Sequence, residues 1–319
     1  VDSYRPGTRP ELEAKELGLE RMKRVVDVLA QHRVFHLALG GGESLELPWL
    51  FDLAEYARAR GIIPNLTTNG FPLEPEMARR CRVFGQINVS IDGVDEAYRE
   101  ARGVDGFEAA DRALTLLRKA GCRAGINTVV SRHNFDRLGE LVRYARRRKL
   151  SQIELLRFKP AGRGADRFGE MDLTPEQSAS FFPFVTSLLR KTRIRLRLDC
   201  SLMPLVYAHE PDPDRLDRFA MLGCHGGQIL MGVDPAGAVS ACSFAPAEDW
   251  DLLEMSGWWR DPRAFAPFRL WKESAPEPCS SCRYLELCRG GCHAVALAVH
   301  GSMASPDPGC PIVQRYEAC

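Results

Sequence analysis

The sequence predicts an α/β protein in which a parallel sheet with intervening helices is followed by a small cysteine-rich α+β domain. Two observations carry this prediction. The first two thirds of the chain alternate helical patterns with short β-branched runs, at a period of about 25 to 30 residues that suits one βα unit. The cysteines, in contrast, are crowded into the last third.

Five or six strands are expected, each an apolar run closed by Gly, Asn or Asp, and helices separate them. The runs that predict the strands are Val34–Leu39, Ile62–Thr67, Ile87–Ile91, Ala124–Val130, Ile153–Phe158 and Ile194–Leu198. The predicted helices are Pro10–Gln31, Pro48–Arg60, Pro75–Arg80, Phe107–Ala120, Phe135–Lys149 and Pro175–Lys191. Because a chain of βα units normally begins with a strand and this one begins with a helix, we expect the opening strand to lie upstream of Val1.

A proline-rich and acidic stretch at residues 201–223 predicts a linker between a first domain, residues 1–200, and a second, residues 224–319. Early in the second domain, the apolar runs 228–233 and 238–242 flank the turn sequence Asp-Pro-Ala-Gly. They predict a β-hairpin between two cysteines.

Composition sets limits on the partners. The 319 residues are 45% hydrophobic, which is enough for a full core, and 43 basic against 42 acidic residues leave a formal charge of +1. This balance gives no electrostatic bias toward nucleic acid or an anionic membrane. No apolar run of about 18 residues exists, and the N-terminus is polar. We therefore expect a cytoplasmic protein without nucleic-acid or membrane partners.

The cysteine spacing predicts metal chemistry. It reads Cys224-x12-Gly-x4-Cys242, then Cys279-x2-Cys-x5-Cys-x3-Cys, then Cys310. Disulfides are disfavoured, because there is no secretory signal and a chain of this size does not need disulfide bonds to stabilise its core. Thiolates are soft ligands for zinc or iron–sulfur clusters, and a Cys-x2-Cys turn directs two sulfurs to one centre. On spacing alone, two structural zinc ions, helped by His225 and His293, remain an alternative to clusters.

The same spacing resembles the SPASM domain of radical S-adenosylmethionine (SAM) enzymes, and all seven positions of that pattern are present. The resemblance implies two auxiliary [4Fe–4S] clusters with these ligands: Cys224, Cys242 and Cys292 for the first, and Cys279, Cys282, Cys288 and Cys310 for the second. Some relatives carry a further cysteine shortly after the first one, and this chain has none there. The first cluster is thus expected to have an open iron, a non-cysteine ligand or a distant thiol such as Cys319.

Three predicted strand ends carry motifs of their own, Gly41-Gly42-Glu43-Ser44, Thr67-Thr68-Asn69-Gly70 and Val89-Ser90-Ile91-Asp92-Gly93. By itself, each motif is a sequence that commonly follows a β-strand. In this order, they resemble the radical SAM domain, a parallel TIM-like barrel, here a partial (β/α)6 barrel without its first strand. The resemblance implies SAM-binding residues, namely Gly41, Gly42, Glu43, Asn69, Ser90, Asp92, Arg102 and Asn127.

Within that set, the resemblance assigns Glu43 to the amino group of SAM, and Ser90 and Arg102 to its carboxylate. Asn127 and Lys159 fall where the family places cofactor- or substrate-facing groups, although side chains at strand ends are solvent-exposed by default. The defining Cys-x3-Cys-x2-Cys loop of the family is absent from these 319 residues. We expect it, and the third cluster that it holds, close upstream of Val1; without it the chain should not cleave SAM.

The function that the resemblance implies is oxidation by a 5′-deoxyadenosyl radical. The expected substrate is a peptide or protein side chain, as in maturases of ribosomally made peptides, and the expected electron donor is a flavodoxin or ferredoxin. The sulfatase-maturating branch is disfavoured, because its base follows the second SPASM cysteine and this chain has Ser243 there. The alternatives are a small-molecule substrate in cofactor biosynthesis and a non-catalytic binding module stabilised by zinc or clusters.

Overall fold

A computed structural model describes residues 16–190, 192 and 194–318. The start of the first predicted helix, Lys191 and Cys319 lie outside these described residues. Within them, no helix combines the length and the apolar character that a membrane crossing would need. None of the described cysteines forms a disulfide bond.

The six predicted strands are confirmed. They are β1 His36–Leu39, β2 Ile63–Thr68, β3 Ile87–Ser90, β4 Ala124–Val130, β5 Gln152–Arg157 and β6 Arg195–Leu198. They form one parallel sheet in sequential order, β1-β2-β3-β4-β5-β6. With its helices, this sheet forms a half-barrel, the partial TIM-like architecture predicted above.

The helices of this first part are α1 Leu19–Gln31, α2 Leu50–Ala59, α3 Pro75–Arg80, α4 Glu96–Arg102, α5 Phe107–Lys119, α6 Leu138–Arg147, α7 Phe168–Met171 and α8 Pro175–Arg190. Two of them, α4 and α7, were not predicted. Both are short, seven and four residues, so neither presents enough turns for a clear apolar period.

The two faces of the sheet differ in chemistry. Because side chains alternate along a strand, Ile126 and Ile153 point to the helical layer, where they join the main core. On the other face the register aligns polar side chains from neighbouring strands: Ser90 pairs with Asn127, Asn127 with Glu154, and Glu154 with Arg197. The inner face of the half-barrel is therefore lined with polar side chains.

The second part of the chain is built of short elements. After residue 200 these are α9 Met203–Tyr207, α10 Pro213–Arg218, β7 Gly232–Val233, β8 Val239–Ser240, β9 Ala247–Glu248, α11 Met255–Trp258, α12 Ala266–Arg269, α13 Leu285–Cys288, α14 His293–His300 and α15 Pro311–Glu317. The predicted hairpin is confirmed, with β7 antiparallel to β8. Its turn is closed by Asp234, whose Oδ1 accepts hydrogen bonds from the backbone nitrogens of Ala236 and Ala238 at 2.9 and 2.8 Å.

The stretch predicted as a linker is folded. It holds α9 and α10, and Tyr207 of α9 stacks on Tyr284 with ring centroids 5.0 Å apart. Met203, Val206 and Leu216 complete this small core. All five residues of α9 are buried, Pro204 among them. Prolines are typical of loops, which explains why composition alone suggested a linker here.

A buried ion pair joins the two parts of the molecule. Arg157, the last residue of β5, donates from Nη1 to Oδ2 of Asp307 at 2.6 Å, and the two side chains are only 3% and 0% exposed. Asp307 also accepts from the backbone nitrogens of Cys292 and Gly309, both at 2.9 Å. A second carboxylate, Asp172, lies 3.6 Å from Nη2 of Arg157. One carboxylate thus fixes the strand end, a cysteine and the loop before Cys310.

Removing this carboxylate should destabilise the fold strongly. Asp307→Ala leaves the Arg157 guanidinium buried without its main partner, a change that typically costs about 3–5 kcal/mol. Urea unfolding followed by tryptophan fluorescence measures the free energy of unfolding.

The matched control is Glu74→Gln, which removes an exposed pair with Arg112 at 3.1 Å and should cost less than about 1 kcal/mol. Equal unfolding free energies for the two variants would contradict a central role for Asp307.

Candidate functional site

Glu43 lies four residues after the end of β1 and is a buried carboxylate at the edge of the sheet. It is 7% exposed. Its Oε1 accepts from Thr68 Oγ1 at 2.7 Å and from the backbone nitrogen of Leu45 at 3.1 Å, and its Oε2 accepts from the backbone nitrogen of Asn69 at 2.7 Å. Burial raises the pKa of Glu43, although these three hydrogen bonds oppose the shift. A carboxylate offers about four acceptor positions, so one remains for a ligand cation.

Of the other candidate SAM-binding residues, Ser90 ends β3 and lies opposite Asn127 in the middle of β4. Arg102, at the end of α4, forms an ion pair with Asp92, with Nη1 3.2 Å from Oδ2, and Asp92 accepts a hydrogen bond from the backbone nitrogen of Val129 at 2.7 Å. Burial raises the pKa of Asp92, and the Arg102 guanidinium partly offsets this. Asn127 accepts from Asn88 Nδ2 at 2.6 Å. The pair Asp92–Arg102 is thus preformed, with Arg102 still holding further donors.

The structure brings the predicted residues together in three groups at one edge. Glu43 contacts the loop of Asn69, Ser90 pairs in register with Asn127, and Asp92 pairs with Arg102. Carboxyl ends of parallel strands carry the ligand sites of such sheets. The loop of Gly41 and Gly42 precedes Glu43 at this edge and is exposed.

The seven cysteines of the SPASM-like pattern and the loops that carry them are called the cysteine module below. Four of these seven cysteines line one pocket. The pocket is also lined by Pro204 and Tyr207 of α9. The four cysteines are Cys279, Cys282, Cys288 and Cys310. Burial, with neighbouring thiolates adding to it, raises the pKa of Cys279 to about 12. Such thiols bind as thiolates where a metal centre compensates their charge.

The remaining three module cysteines form a second group. Burial raises the pKa of Cys224 to about 12, and the thiols of Cys242 and Cys292, both within electrostatic range of it, add to this shift. The two thiol groups are connected through the backbone, because the nitrogen of Cys224 donates to the carbonyl of Cys288 at 3.3 Å. A Cβ on Gly223 would lie 2.3 Å from that same carbonyl oxygen, so only glycine permits this approach.

The three residues between Cys288 and Cys292 explain how neighbours in sequence face different groups. Arg289, Gly290 and Gly291 all have positive φ, from 55° to 81°. A Cβ on Gly291 would meet the Cβ of Asp307 at 2.5 Å, so the left-handed turn can close against the buried carboxylate only with glycine. The turn leaves Cys288 in the pocket and turns Cys292 toward Cys224.

The thiol groups offer ligands for a soft metal centre. Among the described residues, no three His, Cys, Asp or Glu side chains are arranged around one ion position. Thiolates bind zinc as well as iron–sulfur clusters, and the four cysteines that line one pocket are a ligand set that either centre uses.

Sequence reasoning missed a buried ion pair between the half-barrel and the cysteines. Lys159, two residues after β5, pairs with Asp199, which follows β6, and Ser201 Oγ donates to the same carboxylate at 2.7 Å. Burial works against both charges, yet the ammonium lowers the pKa of Asp199 and the carboxylate raises that of Lys159. Lys159 Nζ also lies 4.7 Å from the ring centroid of Phe244. The sequence indicates Lys159 as a residue at the end of β5. The same attention to the residues after β6 would have identified Asp199.

Comparison with known proteins agrees with this arrangement. Residues 4–145 match the sequence model of the Radical SAM superfamily. A mycofactocin maturase, MftC, of Mycobacterium ulcerans is 30% identical over 314 residues, covering 95% of this chain and 81% of that protein. An AdoMet-dependent heme synthase of Methanosarcina barkeri is 26% identical over 321 residues, covering 93% and 88%.

Two solved structures share the fold. Native anSMEcpe with bound AdoMet and Cp18Cys peptide superposes with a TM-score of 0.68 at 19% identity, covering 94% of this chain and 87% of that chain. Streptococcus suis SuiB bound to precursor peptide SuiA superposes with a TM-score of 0.69 at 16% identity, covering 91% and 68%. The strand-end motifs, the half-barrel and a relative at 30% identity over nearly the whole length lead to one conclusion: this chain belongs to the radical SAM superfamily.

Proposed function

We propose that this enzyme modifies a side chain of a peptide in a SAM-dependent radical reaction. The observation that carries the proposal is the 30% identity to a mycofactocin maturase, which extends over 95% of the chain and so includes both the half-barrel and the cysteine module. The bound precursor peptide of the structurally similar SuiB supports a substrate of the same kind. SAM and the radical cluster together supply a 5′-deoxyadenosyl radical, which abstracts a hydrogen atom from the substrate.

In this proposal, the edge of the half-barrel binds SAM. Glu43 accepts a hydrogen bond from the amino group of SAM through its remaining acceptor position. Arg102, held in place by Asp92, donates to the carboxylate, and Ser90 and Asn127 contact the cofactor from the adjacent strands. The buried setting of Glu43 and Asp92 supports this role, because charge-assisted hydrogen bonds strengthen where water is excluded.

The cysteine module holds two auxiliary [4Fe–4S] clusters in this proposal, with the ligand sets given above. The four thiols in the lining of the pocket and the backbone hydrogen bond from Cys224 to Cys288 support it. The clusters accept the electron that the substrate loses after hydrogen abstraction, and a flavodoxin or ferredoxin supplies the electron that starts the reaction. Unpaired thiols throughout the described cysteines agree with a reducing cytoplasmic environment.

A small-molecule substrate is the second candidate, favoured by the similarity to an AdoMet-dependent heme synthase over 93% of this chain. A direct assay separates the two. The enzyme is supplied on a chain that carries a Cys-x3-Cys-x2-Cys loop, since residues 1–319 contain none, and is incubated with SAM, a reductant and either a candidate precursor peptide or a porphyrin. Formation of 5′-deoxyadenosine together with a mass change in the peptide supports maturation. Turnover only with a porphyrin would support the second candidate.

The auxiliary clusters predict the iron content. Purified without oxygen, the 319-residue chain should be brown, absorb near 400 nm and hold about eight irons with matching sulfide, because two cubane clusters hold four irons each. Iron and sulfide analysis measures this. A colourless protein with two zinc ions per chain would contradict the cluster assignment and support a zinc-stabilised module.

The assignment of Arg102 predicts a loss of SAM affinity. Arg102→Gln removes a charge-assisted hydrogen bond worth about 1.5–3 kcal/mol, so SAM should bind roughly 10- to 100-fold more weakly in equilibrium dialysis. The matched control is Arg99→Gln on the same helix, whose exposed side chain pairs with Glu96. Equal affinities of the two variants would show that Arg102 does not contact SAM.

A further inference from the structure

We propose that Asn134 is a positioning residue of the SAM site, which holds Asp92 in place and, through Asp92, directs Arg102 toward the carboxylate of SAM. This inference rests on the proposed SAM site and adds a residue that lies outside the strand-end motifs. Asn134 follows the end of β4 by four residues. It is only 2% exposed, whereas asparagine is mostly found at the protein surface, so its contacts must compensate the burial of its amide.

Three hydrogen bonds fix the side chain of Asn134. Its Nδ2 donates to the backbone carbonyls of Asp92 and Val129, both at 2.8 Å, and its Oδ1 accepts from the backbone nitrogen of Ser131, also at 2.8 Å. Because all three partners are backbone groups, which act only as donor or only as acceptor, a single orientation of the amide satisfies them. Both N–H donors of the side chain are used, so Asn134 acts on a ligand only through its neighbours.

One of these three bonds is long-range. The bonds to Val129 and Ser131 shape the turn that leads from β4 toward α6, as buried asparagines in turns commonly do. The bond to the carbonyl of Asp92 instead reaches 42 positions back along the chain, to the loop after β3. A residue that only shaped its own turn would not need this bond.

Asp92, Val129 and Asn134 form a closed cycle of hydrogen bonds. The backbone nitrogen of Val129 donates to Oδ1 of Asp92 at 2.7 Å, and its carbonyl accepts from Asn134. Asp92 is thus held at its backbone by Asn134 and at one carboxylate oxygen by Val129. The other oxygen, Oδ2, lies 3.2 Å from Nη1 of Arg102. The cycle therefore sets the position of the oxygen that Arg102 contacts.

A second contact limits the freedom of Arg102. Its guanidinium carbon lies 5.5 Å from the ring centroid of Tyr98, a residue that is 1% exposed. The side chain of Arg102 is 21% exposed, so part of its guanidinium stays open to a ligand. A planar guanidinium binds a carboxylate best when its donors face both oxygens in one plane. A displacement of Asp92 should therefore weaken SAM binding.

The experiment measures SAM affinity by equilibrium dialysis, on a chain that carries a Cys-x3-Cys-x2-Cys loop. Asn134→Asp keeps the shape of the side chain and the acceptor for Ser131 but has no N–H donors. We expect this variant to bind SAM about tenfold more weakly than the wild type.

The matched control is Tyr144→Phe, which removes a part-buried hydrogen bond to Asp111, 2.6 Å long, in the helical layer. This control should bind SAM as the wild type does. Equal SAM affinities of Asn134→Asp and Tyr144→Phe would overturn the proposal.

A double variant separates positioning from a general loss of structure. If Asn134 acts through Arg102, the combination of Arg102→Gln with Asn134→Asp should bind SAM within about twofold of Arg102→Gln alone, because the positioned group is gone. A general loss of structure would weaken SAM binding by the same factor in both backgrounds. Factors that multiply in this way would overturn the proposal.

A second measurement needs no variant and so does not depend on the folding of Asn134→Asp. Hydrogen–deuterium exchange of the wild-type chain, read by mass spectrometry, is compared with and without saturating SAM. The backbone amides of Val129 and Ser131 donate to Asp92 and Asn134. A peptide that contains both amides should exchange at least about threefold more slowly once SAM engages Arg102, while a peptide from α8 should not change. Unchanged exchange at residues 129–131 would overturn the proposal.

Arg102→Gln separates the two levels of inference. If this variant binds SAM as tightly as the wild type, the proposed SAM site is contradicted, and the role of Asn134 is contradicted with it. If Arg102→Gln weakens SAM binding and Asn134→Asp does not, only the assignment of Asn134 is contradicted.

Discussion

The Asp307 carboxylate holds together parts of the chain that are far apart in sequence. It neutralises Arg157 at the end of β5, 150 residues upstream, and accepts the backbone hydrogens of Cys292 and Gly309. A carboxylate in a fully buried position is costly unless charge and hydrogen bonds compensate it, and here both do. The partners of Asp307 belong to the half-barrel and to the cysteine module. A shift of one part relative to the other would therefore expose the charges of Arg157 and Asp307 or leave one of them buried without its partner.

This constraint has a consequence for the proposed chemistry. Cys292 stands at the start of α14 with its backbone fixed by Asp307, while Cys288 faces the four-thiol pocket. The left-handed turn between them puts neighbouring ligands into different groups, and the hydrogen bond from Cys224 to Cys288 joins those groups again. Two metal centres assembled on such a frame would keep a fixed separation, which electron transfer between them requires.

The inner face of the half-barrel follows a different rule. Here the alternation of side chains separates an apolar layer under the helices from a polar surface that includes Ser90, Asn127 and Glu154. The proposed SAM site lies at the strand ends of this surface, and the pair of Lys159 and Asp199 lies between it and the cysteines.

Much of this organisation could be read from the sequence. The six strands and the hairpin follow from periodicity and turn residues, which are local properties. The grouping of Cys279, Cys282, Cys288 and Cys310 was implied by the resemblance to the SPASM pattern. The short helix α4 and the folded segment of α9 were missed because each has too few residues for a periodic signal. Their helical form depends on packing, as in the stacking of Tyr207 on Tyr284.

The sequence by itself determined the βα order, the residue types at the strand ends and a thiol-rich module, because each of these depends on residues close together in the chain. Only the tertiary structure decided that Arg157 meets Asp307 and that Lys159 meets Asp199. Those contacts join residues 40 and 150 positions apart. No local pattern encodes them, because they arise where the ends of β5 and β6 pack against the module.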